Sequence, residues 1–442
     1  MSNESNSFIA DTQTLEDLNL LGKYKPGSMF SIFNKVKTRG GERWLEELFR
    51  HPLTQPAAIN ERSGLFRYFG KREVELPFSA ELFERAEAYL STQTSSNRLL
   101  AKASLIKKRL TASFLRDERY AQLLQGLVAC LEVLKTVKIL IDSLDLPLLR
   151  EAREILSDKR LQLILKEPVA SSLPLLKLAA VDGLLRGSLF IGMQRVLETV
   201  YQLDVFIAVS RLARERDLSY ATALEGGKGL VFRTSALRHP ALDRAVANPL
   251  TLSNEQNLLF LTGANMAGKS TLMKAVGIAV YLSHMGFPVA AKEMEFSVME
   301  GLYCSINVAD DLARGYSHYY AEVRRVKQVA EQVGSGRRLL VIFDELFKGT
   351  NVRDAFEATL ACTRSFSRYR TCLFVVSTHI IEVAEELKRD DNILFSYMPT
   401  VMQGPIPGYP YTLTEGVTED RQGMIIIENE GILQMLKRSG PR

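Results

Sequence analysis

"LLFLTGANMAGKSTLMKAVG", Leu258 to Gly277, decides how the second half of the chain is read. An apolar run stops at Thr262 and Gly263, a short loop follows, and Gly268, Lys269 and Ser270 open a helical pattern. Gly263 to Ser270 fits G-x-x-x-x-G-K-[ST], in the strand–loop–helix setting that gives this motif its meaning. Glycine lets the backbone wrap closely, so consecutive N–H groups and the helix N-terminus point at a β-phosphate. Lys269 adds a full positive charge at the β- and γ-phosphates, and the Ser270 hydroxyl suits a Mg²⁺ position. The plain alternative is a glycine-rich turn with no ligand. It leaves the joint arrival of strand, loop, lysine and helix unexplained.

Further runs of the same kind follow: "RLLVIFDE", "TCLFVVSTH", "NILFSYM" and "GMIIIENEG". Short β-branched or apolar runs alternating with helical stretches predict an α/β domain with a largely parallel sheet. The texture changes after "LEGGKG" (Leu224 to Gly229), which places a boundary near residue 225. From Leu21 to about Ala221 the pattern is helical. "YAQLLQGLVACLEVLKTVKILIDSL" sets Leu123, Leu127, Leu131, Leu134, Val137 and Ile141 on one stripe of a long helix. "GMQRVLETVYQLDVFIAVSRLARERD" predicts another.

Composition narrows the class. Of 442 residues, 46% are hydrophobic and 24% charged, the balance of an ordinary globular chain of two or three domains. The net charge of +5 permits a nucleic-acid partner without arguing for one. Cys130, Cys304, Cys362 and Cys372 are scattered without zinc-type spacing and read as core thiols of a reducing compartment. "MSNESNSFIADTQT" lacks the basic and apolar regions of a secretory signal, and residues 1–20 are expected to form a flexible or loosely docked tail. "VGIAVYLSHMGFPVAA" carries His284 and Pro288 and falls short of the roughly 20 apolar residues of a membrane span. The expectation is a cytoplasmic protein without membrane contact.

A triphosphate site also needs a metal-binding carboxylate and a means of activating water. In "LLVIFDELFKGTN", Asp344 ends an apolar strand and would hold Mg²⁺ through water. Glu345, turned elsewhere by strand alternation, would polarise the attacking water. An Asp-Glu pair after a strand is also common at helix caps, and the phosphate loop is what favours the catalytic reading. His379 ends the next strand, where a γ-phosphate sensor would sit, although a lone strand-end histidine is usually structural. In "ADDLARGYSHYYAEVRRVKQVAEQV", Ser317 precedes a helix whose predicted apolar face is Tyr320, Val323, Val326, Ala330 and Val333. On spacing alone this is an ordinary capped helix.

"TGANMAGKSTLMK", "ADDLARGYS", "LLVIFDELFKGTN" and "STH", in that order, resemble the ATPase domain of the MutS DNA mismatch-repair family. The family's blocks usually read TGPNMGGKST, DDLxxGxST, DEIGRGTST and ATH. Upstream, "LRHPALDRAVANPLTL" (Leu237 to Leu252) is similar to its HP block and adenine-holding segment, with Val246, Ala247 and Asn248 at the core. "LDVFIAVSRLARERDLSYATAL" resembles its transmitter helix, and "GSMFSIFNKVKTRGGERWLEELFRHPLTQPAAINER" the start of its helical core. The likeness covers most of residues 20–430.

The resemblance implies an α/β P-loop ATPase domain of ABC type, mostly parallel, preceded by an all-α lever or core domain. The expected division is 1–20 tail, 21–225 helical core, 226–434 ATPase domain and 435–442 tail. It implies ATP or ADP with Mg²⁺, cradled by Gly263, Ala264, Asn265, Met266, Ala267, Gly268, Lys269, Ser270 and Thr271 and flanked by Val246 and Asn248. Ser270 and Asp344 would hold the metal; Glu345, Lys269 and His379 would carry catalysis. Nucleotide sites in the family are composite, so Ser317 would reach the γ-phosphate held by the opposite subunit of a homodimer formed through the ATPase domains. The chain also departs from the pattern. Barely 20 residues precede the match, and Phe-x-Glu occurs only at Phe343–Glu345, so no mismatch-reading domain is expected. The helical half is short for a full DNA clamp, and little chain remains for C-terminal dimerising helices. Ala267 and Phe347 replace usual glycines, Lys348 a usual arginine and His318 a usual threonine. Nucleotide binding and hydrolysis are expected to survive these changes; the resemblance leaves open whether mismatches are recognised.

"RLLAKASLIKKRLTASFLRDER" gathers Lys102, Lys107, Lys108 and Arg109 within a wider basic cluster. Phosphate contacts there would give sequence-independent binding to double-stranded or structured DNA; a solvated helix face explains the same residues. The leading reading is a dimeric, DNA-associated ATPase of mismatch repair or a related DNA-structure transaction. The alternative is a nucleotide-gated protein-interaction scaffold that never touches DNA. A chromosome-maintenance ATPase with coiled-coil arms is disfavoured, because no LSGGQ-like signature or long heptad run occurs.

Overall fold

The structure, a computed structural model, describes residues 7–23, 25–91, 118–166, 174–226, 229–306, 318–404 and 406–418, with 427, 431–433 and 435. Lys102, Lys107, Lys108, Arg109 and Ser317 lie outside the described residues, as does nearly all of "GMIIIENEG". The chain forms two units: residues 1–33, 48–67 and 213–442, and residues 34–47 and 68–212.

The first unit is α/β. Apolar runs form β6 (Leu258–Gly263), β9 (Gly301–Ser305), β10 (Leu339–Asp344), β11 (Leu373–Ser377) and β12 (Ile393–Met398). With β1 (Ile9–Ala10) and β15 (Thr414–Glu415) they build a sheet in the order β1-β9-β10-β11-β6-β12-β15. Every neighbouring pair is parallel except β12 with β15. Each residue of β6, β9 and β11 is buried, as expected of parallel strands covered on both faces. Phe260, Val341, Phe343, Phe374 and Val376 supply the core on one side. Helix α11 (Lys269–His284), which follows β6, is buried along nearly its whole length, so its sequence is apolar all round rather than striped.

A smaller sheet joins β3 (Thr222–Leu224), β8 (Glu293–Ser297), β4 (Val231–Leu237) and β5 (Asn248–Ser253) in that order. Two further pairs are formed among the described residues: β2 (Ser219–Tyr220) with β7 (Pro288–Val289), and β13 (Val401–Gln403) with β14 (Ile406–Gly408).

Three sequence expectations need correction here. Residues 7–20 are not a tail. Ile9 pairs with Gly301, and Asp11 caps α1 (Thr12–Asp17) by accepting from Thr14 N at 3.0 Å. The Thr14 hydroxyl accepts from Cys304 N at 2.9 Å, and the Asp17 carboxylate accepts from Ile306 N at 2.8 Å. Arg325, 5% exposed, forms an ion pair with Asp11 and also donates to Ser305 Oγ (2.9 Å) and Cys304 O (2.7 Å). Polar side chains that looked solvated are instead fastened to β9 and the residue that follows it.

The second correction concerns α12 (His318–Gly334), whose buried face is Glu322, Arg325, Val326, Val329 and Val333; Tyr320 and Ala330 face outward. The Asp11 partner lets Arg325 occupy the interior, which rotates the face away from the purely apolar stripe.

Residues 48–67, read on sequence as part of the helical half, cluster with the α/β unit. α2 (Met29–Phe33), the end of α3 (Arg39–Arg50) and most of α4 (Pro56–Gly70) bring Phe33, Phe49 and Phe66 around Phe287, with ring centroids 4.9–5.6 Å apart.

The second unit is helical: α5 (Ala80–Leu90), α6 (Glu118–Ser143), α7 (Arg150–Leu156), α8 (Lys159–Lys166), α9 (Leu175–Gly183) and most of α10 (Phe190–Glu215). The predicted stripe on α6 is present: Leu127, Leu131, Leu134, Val137 and Ile141 are buried, with Leu123 half-buried. A π-helical turn, Leu184–Ser188, joins α9 to α10. There Asp182 accepts from Tyr89 Oη at 2.7 Å and from Arg186 at 2.7 and 3.1 Å, so the buried polar groups satisfy one another. Asp204, pushed up by burial, accepts from the Lys37 and Thr38 backbone N–H groups at the start of α3.

Candidate functional site

The register of the large sheet gathers four strand ends on one rim. Asp344 lies opposite Ser377, Ser377 opposite Leu261, and Gly263 opposite Met398. Parallel strands all point their carboxyl ends this way, so every loop that follows them converges here. The turn after β6 needs its glycines. Gly263 (φ 139°) would place a Cβ 2.8 Å from Met398 O, and Gly268 (φ 101°) one 3.0 Å from Tyr411 Cδ1. Met266 also has a left-handed backbone, at φ 72°. Ala267 is 1% exposed, so the methyl standing where the resembled family has glycine is accommodated inside the turn.

Lys269 is buried, and its Nζ donates to Gly263 O (2.8 Å) and Ala264 O (3.2 Å). Burial pushes its pKa down, while the nearby Glu345 and Asp344 charges work in the opposite direction. Ser270 Oγ donates to Asp344 Oδ2 at 2.5 Å, which joins the turn after β6 to the acidic end of β10. The other carboxylate oxygen of Asp344 accepts from the Ser377 hydroxyl. A hydroxyl and a carboxylate in contact form an all-oxygen donor set suited to Mg²⁺, which takes few protein ligands and fills its shell with phosphate and water oxygens. Among the described residues no group of three His, Cys, Asp or Glu is placed to hold a metal.

Glu345 does not owe its direction to strand alternation, as the sequence suggested. The strand stops at Asp344, and Glu345 has φ 54°, its N–H donating to Ser377 O at 3.1 Å. The left-handed turn swings its side chain into the same pocket as Lys269. Phe347, at φ 60° and buried, adopts the backbone that glycine would adopt freely.

A pocket of about 750 Å³ opens on this rim. One wall is Ala264, Asn265, Met266, Gly268, Lys269, Ser270 and Thr271; the opposite wall is the connection from β4 to β5, from Arg238 to Asn248. Met398 and Tyr411 close a third side. The volume lies within the usual range for small-molecule and cofactor sites. Leu242, Val246 and Tyr411 are partly exposed apolar side chains lining it, a lining suited to a flat base. His239 also lines it; burial, and then the charge of Lys274, push its pKa down to about 4, so it is neutral at pH 7.

Among the residues singled out from sequence, Gly263, Ala267 and Asp344 shape the rim without lining the pocket, while Val246 and Asn248 line it. His379 is exposed just beyond β11 and is not among the lining residues. Ser377, Met398 and Tyr411 were not identified from sequence. Ser377 could have been found by pairing the strand "LFVVS" against "LVIFD"; Tyr411 lies in an irregular segment with no periodic signal.

Comparison with family models supplies the remaining observation. The model described as MutS domain III matches residues 13–323, and the one described as MutS domain V, the ATPase domain of its family, matches residues 259–437. The first spans well over half the chain.

Proposed function

The chain belongs to the MutS family, and from that premise we propose that it binds ATP with Mg²⁺ in the pocket of the α/β unit and hydrolyses it. The observation that carries the proposal is the Ser270–Asp344 contact of 2.5 Å, which puts the turn after β6 and the acidic end of β10 at one point. The turn's N–H groups and Lys269 hold the phosphates, after Lys269 gives up the carbonyls of Gly263 and Ala264. Ser270 and Asp344 would hold Mg²⁺, which when bound neutralises charge on the phosphate oxygens. Glu345 orients the attacking water, and His379 monitors the γ-phosphate. Tyr411 and Val246 flank the base.

In this reading Ser317 completes the site of the opposite subunit, so ATP favours a homodimer. The helical unit passes the nucleotide state to DNA through phosphate contacts by Lys102, Lys107, Lys108 and Arg109. Among the described residues no helix is long and apolar enough to cross a membrane.

The test is ATP turnover by the wild type and Lys269→Ala, with and without homoduplex, mismatched and branched DNA. Lys269→Ala is expected to lose at least about 100-fold in turnover, on the scale of removing one transition-state electrostatic donor. Equal turnover by the two proteins would remove the assigned site. DNA retention that is flat against salt and at background for every structure would remove the DNA role.

A further inference from the structure

Asn248 opens β5 inside the pocket wall and is 4% exposed. A buried amide has two donors and a carbonyl oxygen to satisfy, and the partners it takes reveal what it does. The Asn248 Oδ1 accepts from Leu413 N at 2.6 Å, and its Nδ2 donates to Tyr411 O at 3.0 Å and, more weakly, to Val246 O at 3.4 Å. Both ends of the amide therefore grip backbone more than 160 residues further along the chain, on either side of Thr412.

What those bonds hold is a short irregular strap. It leaves the hairpin of β13 and β14, and Tyr411 sits in it with φ 59°, a left-handed conformation that a tyrosine adopts only when its surroundings impose it. The Tyr411 ring rests beside Gly268, where a Cβ would come within 3.0 Å of Cδ1. The strap thus touches both the loop that opens α11 and the wall that opens β5, and Asn248 is its described tie to that wall.

We propose that Asn248 is a positioning residue: its amide does not read the base but pins residues 411–413 so that Tyr411 and Val246 stand as the two sides of the nucleoside slot. The proposal rests on the nucleotide reading above. It separates the pocket into a phosphate end, set by the turn after β6, and a nucleoside end, set by the Asn248 tie. Loss of the tie frees Tyr411 from its strained backbone and opens the nucleoside end alone.

The experiment uses the full chain and a fluorescent ATP analogue displaced by ATP or by inorganic tripolyphosphate. The variants are Asn248→Ala, Tyr411→Ala, the double variant, and Asn248→Ser, which keeps a polar atom too short to span both partners. Asn248→Ala is expected to weaken ATP about tenfold, the scale of one to two net neutral hydrogen bonds. Tripolyphosphate should bind as it does to the wild type, which also shows that the variant is folded. In the Tyr411→Ala background the Asn248 change should add nothing further, and Asn248→Ser should lose ATP affinity selectively as well. Equal loss of ATP and tripolyphosphate in both Asn248 variants would overturn the proposal, as would full additivity with Tyr411→Ala. A wild type that binds neither ligand would instead bring down the nucleotide reading itself.

Discussion

Removing the Asp11 carboxylate tests how the edge of the large sheet is held. Asp11→Ala strips the ion pair from Arg325, whose side chain is 5% exposed against 22% for Asp11. Deleting one partner of a buried pair costs about 3–5 kcal/mol, because the remaining charge is left uncompensated. Arg325 keeps Ser305 Oγ and Cys304 O, and the partial exposure of Asp11 admits water, so the lower end applies. The same change removes the cap on α1, worth about 1 kcal/mol. The net expectation is about 4 kcal/mol, felt first where residues 7–20 meet β9 and α12. A chain of two units need not unfold in one step, so the assay is native-state hydrogen exchange resolved by peptide. Amides of residues 9–20 and 301–306 should exchange about 1,000-fold faster, the factor equivalent to that free energy. Adding Arg325→Met should restore more than half of the protection, since the stranded charge is then gone. Unchanged exchange in Asp11→Ala, or a double variant no better than the single one, would refute the reasoning.

Gly263→Ala should lower stability by at least about 2 kcal/mol in urea unfolding, because its backbone is left-handed and the new Cβ would lie 2.8 Å from Met398 O; an unchanged midpoint would mean the β6–β12 register is wrong. His284 sits wholly buried, its Nδ1 on Val280 O at 2.8 Å and its Nε2 accepting from Met299 N at 3.0 Å, a pattern only the neutral ring satisfies. Burial pushes its pKa from 6.5 to about 4, so its contribution is complete above pH 6.5 and disappears as pH falls toward 4. About 3 kcal/mol should be lost across that window, and His284→Gln should show a slope shallower by that amount when unfolded at pH 7, 5.5 and 4.

The parts legible in the sequence were those whose cause is local. The strands β6, β10 and β11 are largely apolar runs because parallel strands are covered on both faces, and Leu258–Gly263 shows this plainly. The α6 stripe was equally readable, its core residues recurring at helical spacing. What stayed hidden depends on partners far along the chain. Thr14 and Asp17 look like solvated polar residues until their side-chain oxygens accept from the backbone of Cys304 and Ile306, 290 and 289 residues away. Arg325 reads as an outward-facing charge until Asp11 is beside it. Neither juxtaposition leaves a trace in composition or period.

The site shows the same division more sharply. The turn after β6 was readable because glycine is required where the backbone turns left-handed, and Gly263 and Gly268 mark the two ends. Elsewhere on the rim the chain makes such turns without glycine: Met266, Glu345, Phe347 and Tyr411 all have positive φ. Local propensity argues against each, at a cost of roughly 1–2 kcal/mol per residue. Phe347 offsets this by burying a ring 6.2 Å from Tyr319, a gain of about 2 kcal/mol. Glu345 and Tyr411, half-buried and exposed, have no comparable packing gain. Their conformations are held by Ser377 and Asn248, through the Glu345 N–H on Ser377 O and the Asn248 amide on Tyr411 O. Sequence-local rules fail at this rim because strands that end together must each leave extended geometry at once to face one pocket. Strain that packing does not offset, kept in place by dedicated hydrogen bonds, is what a surface fixed in advance for a ligand requires.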